Sequence, residues 1–140
     1  MAWHAADPSS LEFDEREPRE GEAAGRLAAD LTSALALRQS RARLWRYPPH
    51  TSGRRHADKA QEEVFVVVSG RLTMLLGDPP ERVEVGDGGV VAVEPGTVLQ
   101  VRNESDDELV LFIYGAPPEQ AGADFYEDVT ASTSNAATGR

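Results

Sequence analysis

The chain has 140 residues, 40% of them hydrophobic and 27% charged, which suits one soluble globular domain with its own core. A formal net charge of −10 excludes a general nucleic-acid binder, which needs a basic footprint. The absence of cysteine excludes disulfides and thiolate chemistry, and no stretch approaches the roughly 20 apolar residues of a membrane helix.

Residues 1–32 read as an acidic, partly extended arm, with one helical turn around Glu22 to Ala29. Trp3, Leu11 and Phe13 are its candidate anchors, on the domain or on a second subunit. The opening M-A-W-H-A-A-D-P-S-S lacks the basic and apolar regions of a secretory signal, so a cytoplasmic protein is expected. From residue 33 the pattern changes. Ala34 to Arg38 is a weakly marked strand. Arg41 to Tyr47 is a better one, with Arg41, Arg43, Trp45 and Tyr47 on one face by strict alternation. The run P-P-H-T-S-G-R-R then ends that strand in a loop.

Short strands follow at regular spacing: Val64 to Val68, Leu72 to Leu76, Arg82 to Val85, Val90 to Val93, Val98 to Arg102 and Leu109 to Tyr114. Turn signals separate them, among them Ser69-Gly70, Gly77 to Pro80, Glu94-Pro95-Gly96 and Asn103 to Asp107. Gly86, Gly88 and Gly89 are turn glycines, because no helix follows to make a phosphate loop. This pattern predicts an all-β sandwich or barrel over residues 33–115. Residues 116–129 form a C-terminal segment, in which D-F-Y-E-D-V makes one turn packing Phe125 and Tyr126 on the barrel. Residues 130–140 are small and polar and read as a disordered tail.

The densest chemistry lies in H-A-D-K-A-Q-E-E-V-F-V-V-V-S-G, His56 to Gly70, where metal-ligand residue types run directly into a buried strand. These residues carry a resemblance to the small single-domain cupins. Cupin proteins share two motifs, G-x5-H-x-H-x4-E-x6-G and G-x5-P-x-G-x2-H-x3-N. His56, Glu63 and Gly70 match the first, and Gly88, Gly96 and Asn103 match the second, with Pro95 one place late. Residues 71–87 separate the two motifs. The resemblance implies a jelly-roll β-barrel and, commonly, a homodimer. It also implies a site for a divalent metal (iron, manganese, nickel or zinc), held by three histidines and one glutamate. Here the set is incomplete. Asp58 replaces one histidine and Leu99 another, which leaves His56, Asp58 and Glu63 as candidate ligands. His50 stands at the first glycine of the motif, on a solvent-facing loop.

If Glu63 faces inward, alternation brings Phe65 and Val67 with it, and an inward Leu99 brings Val101 and Thr97. Arg43, Trp45 and Tyr47 make a further candidate lining, and the pocket set is then Arg43, Trp45, Tyr47, Phe65, Leu99 and Val101. Leucine in place of a ligand histidine makes such a cavity drier, which raises the pKa of any buried carboxylate. Several functions fit. The barrel binds a small apolar or aromatic molecule without a complete metal site. Alternatively it is a metal-dependent dioxygenase, isomerase or decarboxylase using His56, Asp58 and Glu63. A metal-free acid–base catalyst would use His56 as base or acid, with Glu63 or Asp58 orienting it or holding a proton, and an inert barrel would merely pair His56 with Glu63. Arg41, Arg43, Arg46, Arg54 and Arg55 form a basic cluster that is either a solvated edge or a site for an acidic ligand. Val64, Val66 and Val68 point to the opposite face and need a cover, which a second subunit would supply. No nucleic-acid or membrane partner is expected.

Overall fold

The structure, a computed structural model, describes residues 2–118 and 121–129. The arm contributes β1 (Asp14–Glu15), β2 (Leu27–Asp30) and a short helix α1 (Leu31–Ala34). The central chain forms β3 (Arg41–Tyr47), β4 (Thr51–Ser52), β5 (His56–Asp58), β6 (Glu62–Ser69), β7 (Leu72–Leu76), β8 (Glu81–Val85), β9 (Val90–Val93), β10 (Leu99–Asn103) and β11 (Leu109–Ala116). β12 (Ala123–Phe125) closes the described chain. One sheet has the order β1-β2-β3-β11-β6-β9 and the other β12-β5-β10-β7-β8, with β4 paired to β10. Every pairing is antiparallel, so the fold is the all-β jelly roll.

The core lies between the sheets. Alternation along β6 sends Phe65 and Val67 inward, and along β11 it sends Leu109 and Leu111 inward. Leu72, Met74, Leu99 and Val101 meet them from the opposite sheet. Gly70 ends β6 with φ +103, and a Cβ there would lie 2.6 Å from the Glu108 carbonyl oxygen. Only glycine meets both conditions without strain. Asn103 is buried. Its Nδ2 donates to the carbonyls of Tyr47, Pro48 and Asp107, and its Oδ1 accepts from the Ser105 N–H, which ties the β10–β11 turn to the end of β3.

Three local expectations change. The Glu22 to Ala29 stretch contains no helical turn; its last residues enter β2, where Ala28 pairs with Trp45 and Ala29 with Leu44. Ala34 to Arg38 is not a strand. The Asp30 carboxylate caps α1 by accepting from Ser33 N–H, and Ala36 then turns the chain at φ +52. D-F-Y-E-D-V does not form a turn on the barrel. Residues 123–125 pair with β5 as β12, because a strand edge offers their backbone hydrogen bonds, and Phe125 stays 56% exposed. Trp3 is exposed, whereas Phe13 lies beneath the Arg46 guanidinium. The tail expected over 130–140 lies outside the described residues.

Candidate functional site

The two sheets meet where β5 leaves one and β6 begins the other. His56 and Asp58 are two apart on β5 and so share a strand face, and Glu63 arrives as the second residue of β6. One ligand-capable atom from each of the three lies within 4.8 Å of the others. His56 Nε2 is 3.8 Å from Asp58 Oδ2. On its other side the ring places Nδ1 2.9 Å from the Arg54 carbonyl oxygen. Only a protonated nitrogen can make that contact as a hydrogen bond, so Nδ1 carries a hydrogen and Nε2 faces the carboxylates.

Glu63 is the strained member. Its Oε1 is buried and has no hydrogen-bond partner among the described residues. Burial, followed by the hydrogen bond and negative charge of Asp58, pushes its carboxyl up to about 9, against the pull of Arg41 and Arg43. At neutral pH Glu63 therefore holds a proton.

These three residues form one wall of a cavity of about 200 Å³. Trp45, Tyr47, Phe65, Leu99, Val101 and Ile113 give it an apolar lining, and Arg26, Arg41, Arg43 and Arg54 a basic one. The structure thus brings Arg43, Trp45, Tyr47, Phe65, Leu99 and Val101 into one cavity with His56, Asp58 and Glu63. Leu99 stands directly opposite His56 in the β10–β5 register, so the triad has a hydrocarbon neighbour where the cupin motif has its last histidine. Tyr47 is fully buried, and that burial pushes its phenol above its ordinary range. His50 lies apart, its Nε2 2.7 Å from Asp106 Oδ1 on the surface.

Of the five clustered arginines, Arg41, Arg43 and Arg54 line the cavity, whereas Arg46 pairs with Glu108 and Arg55 with Asp78. Arg26, Thr32, Gln61, Ile113 and Gly115 line it without having been picked out of the sequence. Ile113 and Gly115 had a signal, since they share the inward alternation of β11. Arg26 had none. It comes from the arm, and only the pairing of β2 onto β3 brings its guanidinium over Trp45 and Tyr47, at 5.0 and 5.5 Å.

Residues 43–114, just over half of the chain, match the profile of the family described as Cupin domain. The chain is a member of the cupin family. No curated protein matches this cupin. Among solved structures, a predicted oxalate decarboxylase from Thermotoga maritima is 15% identical, with TM-score 0.70, over 81% of this chain and 99% of that one. A sugar phosphate isomerase from Silicibacter pomeroyi is 19% identical, with TM-score 0.69, over 95% and 96%. The polyketide cyclase RemF from Streptomyces resistomycificus is 19% identical, with TM-score 0.70, over 92% and 87%. At these identities the likeness establishes the fold alone, and the neighbours' differing activities agree with a scaffold on which function is set by the site.

Proposed function

We propose that this cupin binds a small molecule inside its barrel, against the His56–Asp58–Glu63 wall, without the four-ligand metal site of the cupin motifs. The cavity carries this reading: an apolar lining with a few convergent polar groups is the general form of a small-molecule site. Trp45 in that lining supplies the test. The other tryptophan, Trp3, is exposed and can be replaced by phenylalanine. A library screened by thermal shift on the Trp3→Phe chain yields hits that quench Trp45 saturably and compete with one another. Hits that stabilise the protein without touching Trp45 fluorescence would count against the barrel as the site.

At that wall the chain's own residues can move a proton. Glu63 holds one at neutral pH, and His56 Nε2, when the ring is neutral, would accept one in the same space. The Arg54 carbonyl fixes the imidazole orientation in which Nε2 faces Asp58.

A second reading, a metal-dependent enzyme, is favoured by the orphaned Glu63 Oε1. One imidazole and two carboxylates suit iron, manganese, nickel or zinc, and the three residues fit such a cation as a three-ligand set. When bound, the cation would supply Lewis acidity to an oxygen of the ligand. Elemental analysis of untagged protein tests this. Stoichiometric metal that is lost in both His56→Ala and Glu63→Ala supports the reading, and metal-free protein that gains no thermal stability at millimolar divalent ion removes it. Homodimerisation through the outer face of β6 belongs to the same proposal.

A further inference from the structure

Outside the cavity, six of the eight described arginines, Arg19, Arg46, Arg55, Arg71, Arg82 and Arg102, pair with a carboxylate, whereas, among the described residues, Arg38 and Arg16, which lies over Trp45, do not. The four that line the cavity, Arg26, Arg41, Arg43 and Arg54, make no ion pair among the described residues. This occurs in a chain with 24 acidic residues and only 14 basic ones, where a carboxylate partner is easy to find. Two of the four show what they lack. Arg26 has a buried Nε with no hydrogen-bond partner, and its guanidinium stacks on the Trp45 and Tyr47 rings. Arg43 is half-buried; that burial, then the charges of Arg41 and Arg16, hold it below its ordinary range, against the opposing pull of Asp30 and Glu63, neither of which forms an ion pair with it. Gathering like charges at a desolvated surface is unfavourable unless a counter-charge joins them.

We infer that the molecule held in the barrel is a small organic oxyanion, a carboxylate or a phosphate monoester, whose charged group sits among Arg26, Arg41 and Arg43 and whose apolar body lies on Trp45 and Phe65. This rests on the reading that the barrel is a small-molecule site and adds the chemical class. Planar guanidinium forks match both oxyanions in geometry, and a stacked arginine such as Arg26 is already held in place. Arg41 and Arg43 are near enough to Glu63 to pull on its proton, so an anion bound between them would meet a neutral acid there.

The test is Trp45 quenching in the Trp3→Phe chain, using four probes: 3-phenylpropionate, phenyl phosphate, and their neutral counterparts 3-phenylpropan-1-ol and phenol. Both anions are expected to bind at least about tenfold more tightly than their neutral partners, with affinity falling as salt rises. Arg43→Gln and Arg41→Gln each weaken the anions by about fivefold or more while leaving the alcohols within about twofold. Arg46→Gln, which touches a pair outside the cavity, leaves all four probes unchanged. Whichever anion binds more tightly identifies the oxyanion. Equal binding of anions and neutral probes, or indifference to the arginine substitutions, overturns the inference and leaves the barrel site standing. Loss of quenching by all four probes removes both.

Discussion

Glu63 dictates a measurable pH dependence at the scale of one residue. In the unfolded chain it titrates near the ordinary 4.5 of a glutamate; in the barrel, burial and Asp58 push it up to about 9. Between those values the unfolded state releases the proton and the folded state keeps it. The folded chain then binds more protons, and stability falls as pH rises across that window. Below it, both states are protonated and the penalty vanishes. Glu63→Gln removes the titration while keeping the shape. In chelator-treated protein, its melting temperature should exceed that of the parent chain by a few degrees near pH 8 and approach the parent's near pH 4. A difference that stays flat with pH would show that Glu63 is not held neutral. Leu99 yields a second prediction at this scale. It stands opposite His56, so Leu99→His with Asp58→His rebuilds three imidazoles and one carboxylate around a single point. The double variant should bind nickel or zinc at least about tenfold more tightly than the parent by competition with a chelating dye. No gain would mean that side chains at 99 do not reach the triad.

At the scale of the element, two glycines are required by their surroundings. A Cβ on Gly115 would lie 2.4 Å from the Gln61 side chain, which is buried and donates to the Pro117 carbonyl. Gly115→Ala must displace Gln61 from the cavity wall. Gly70→Ala meets backbone and a positive φ together, and should cost about 1–3 kcal/mol in denaturant unfolding. Gly96→Ala, at φ +81 but with open space around it, should cost no more than about 1 kcal/mol. The reverse order would mean that the β6–β7 turn relaxes more easily than its packing implies. The same elements explain what could be read in advance. Val64 to Val68 and Leu109 to Tyr114 were legible because β-branched and large apolar residues alternate between turn residues. L-A-A-D, residues 27–30, was not: alanine has weak strand preference, and these residues become β2 only because β3 offers an open edge. A-L-A-L-R mimicked a strand, but the decisive signal was the Asp30–Ser33 cap just upstream. The site was legible in part for the same reason. Motif spacing located His56, Asp58 and Glu63, whereas Arg26 reaches the cavity through a long-range pairing that no local pattern encodes.

Among the described residues, the outer face of the first sheet carries an apolar surface that is covered only in part. On the outer face of the first sheet, register places Leu44 beside Phe112, Phe112 beside Val66, and Val66 beside Val90, a row across four strands. A parallel row runs Ala42, Tyr114, Val64 and Ala92, with Ala42 itself buried beside α1. Val68 and Val90 are each 55% exposed, and Tyr114 is 39% exposed. The other sheet is treated differently. On its side Arg102 donates to the Val129 carbonyl and the Arg55 guanidinium lies over Tyr126, so the C-terminal segment supplies a cover. A two-row apolar face that the described residues leave partly exposed suits a second copy of the chain, because a two-fold axis through the Phe112–Val66 pair would set like rows against like. Sedimentation equilibrium should then give twice the chain mass at micromolar concentration. Val90→Lys and Tyr114→Lys introduce charge at positions exposed in the single chain, so each should fold with little change in monomer stability. Each charge would occur twice in a symmetric interface, without a partner, and should raise the dissociation constant by about a hundredfold or more. A parent chain that sediments as a monomer would leave this face without its proposed cover. A dimer unaffected by either lysine would place the contact elsewhere, most directly at the exposed Trp3 end of the arm.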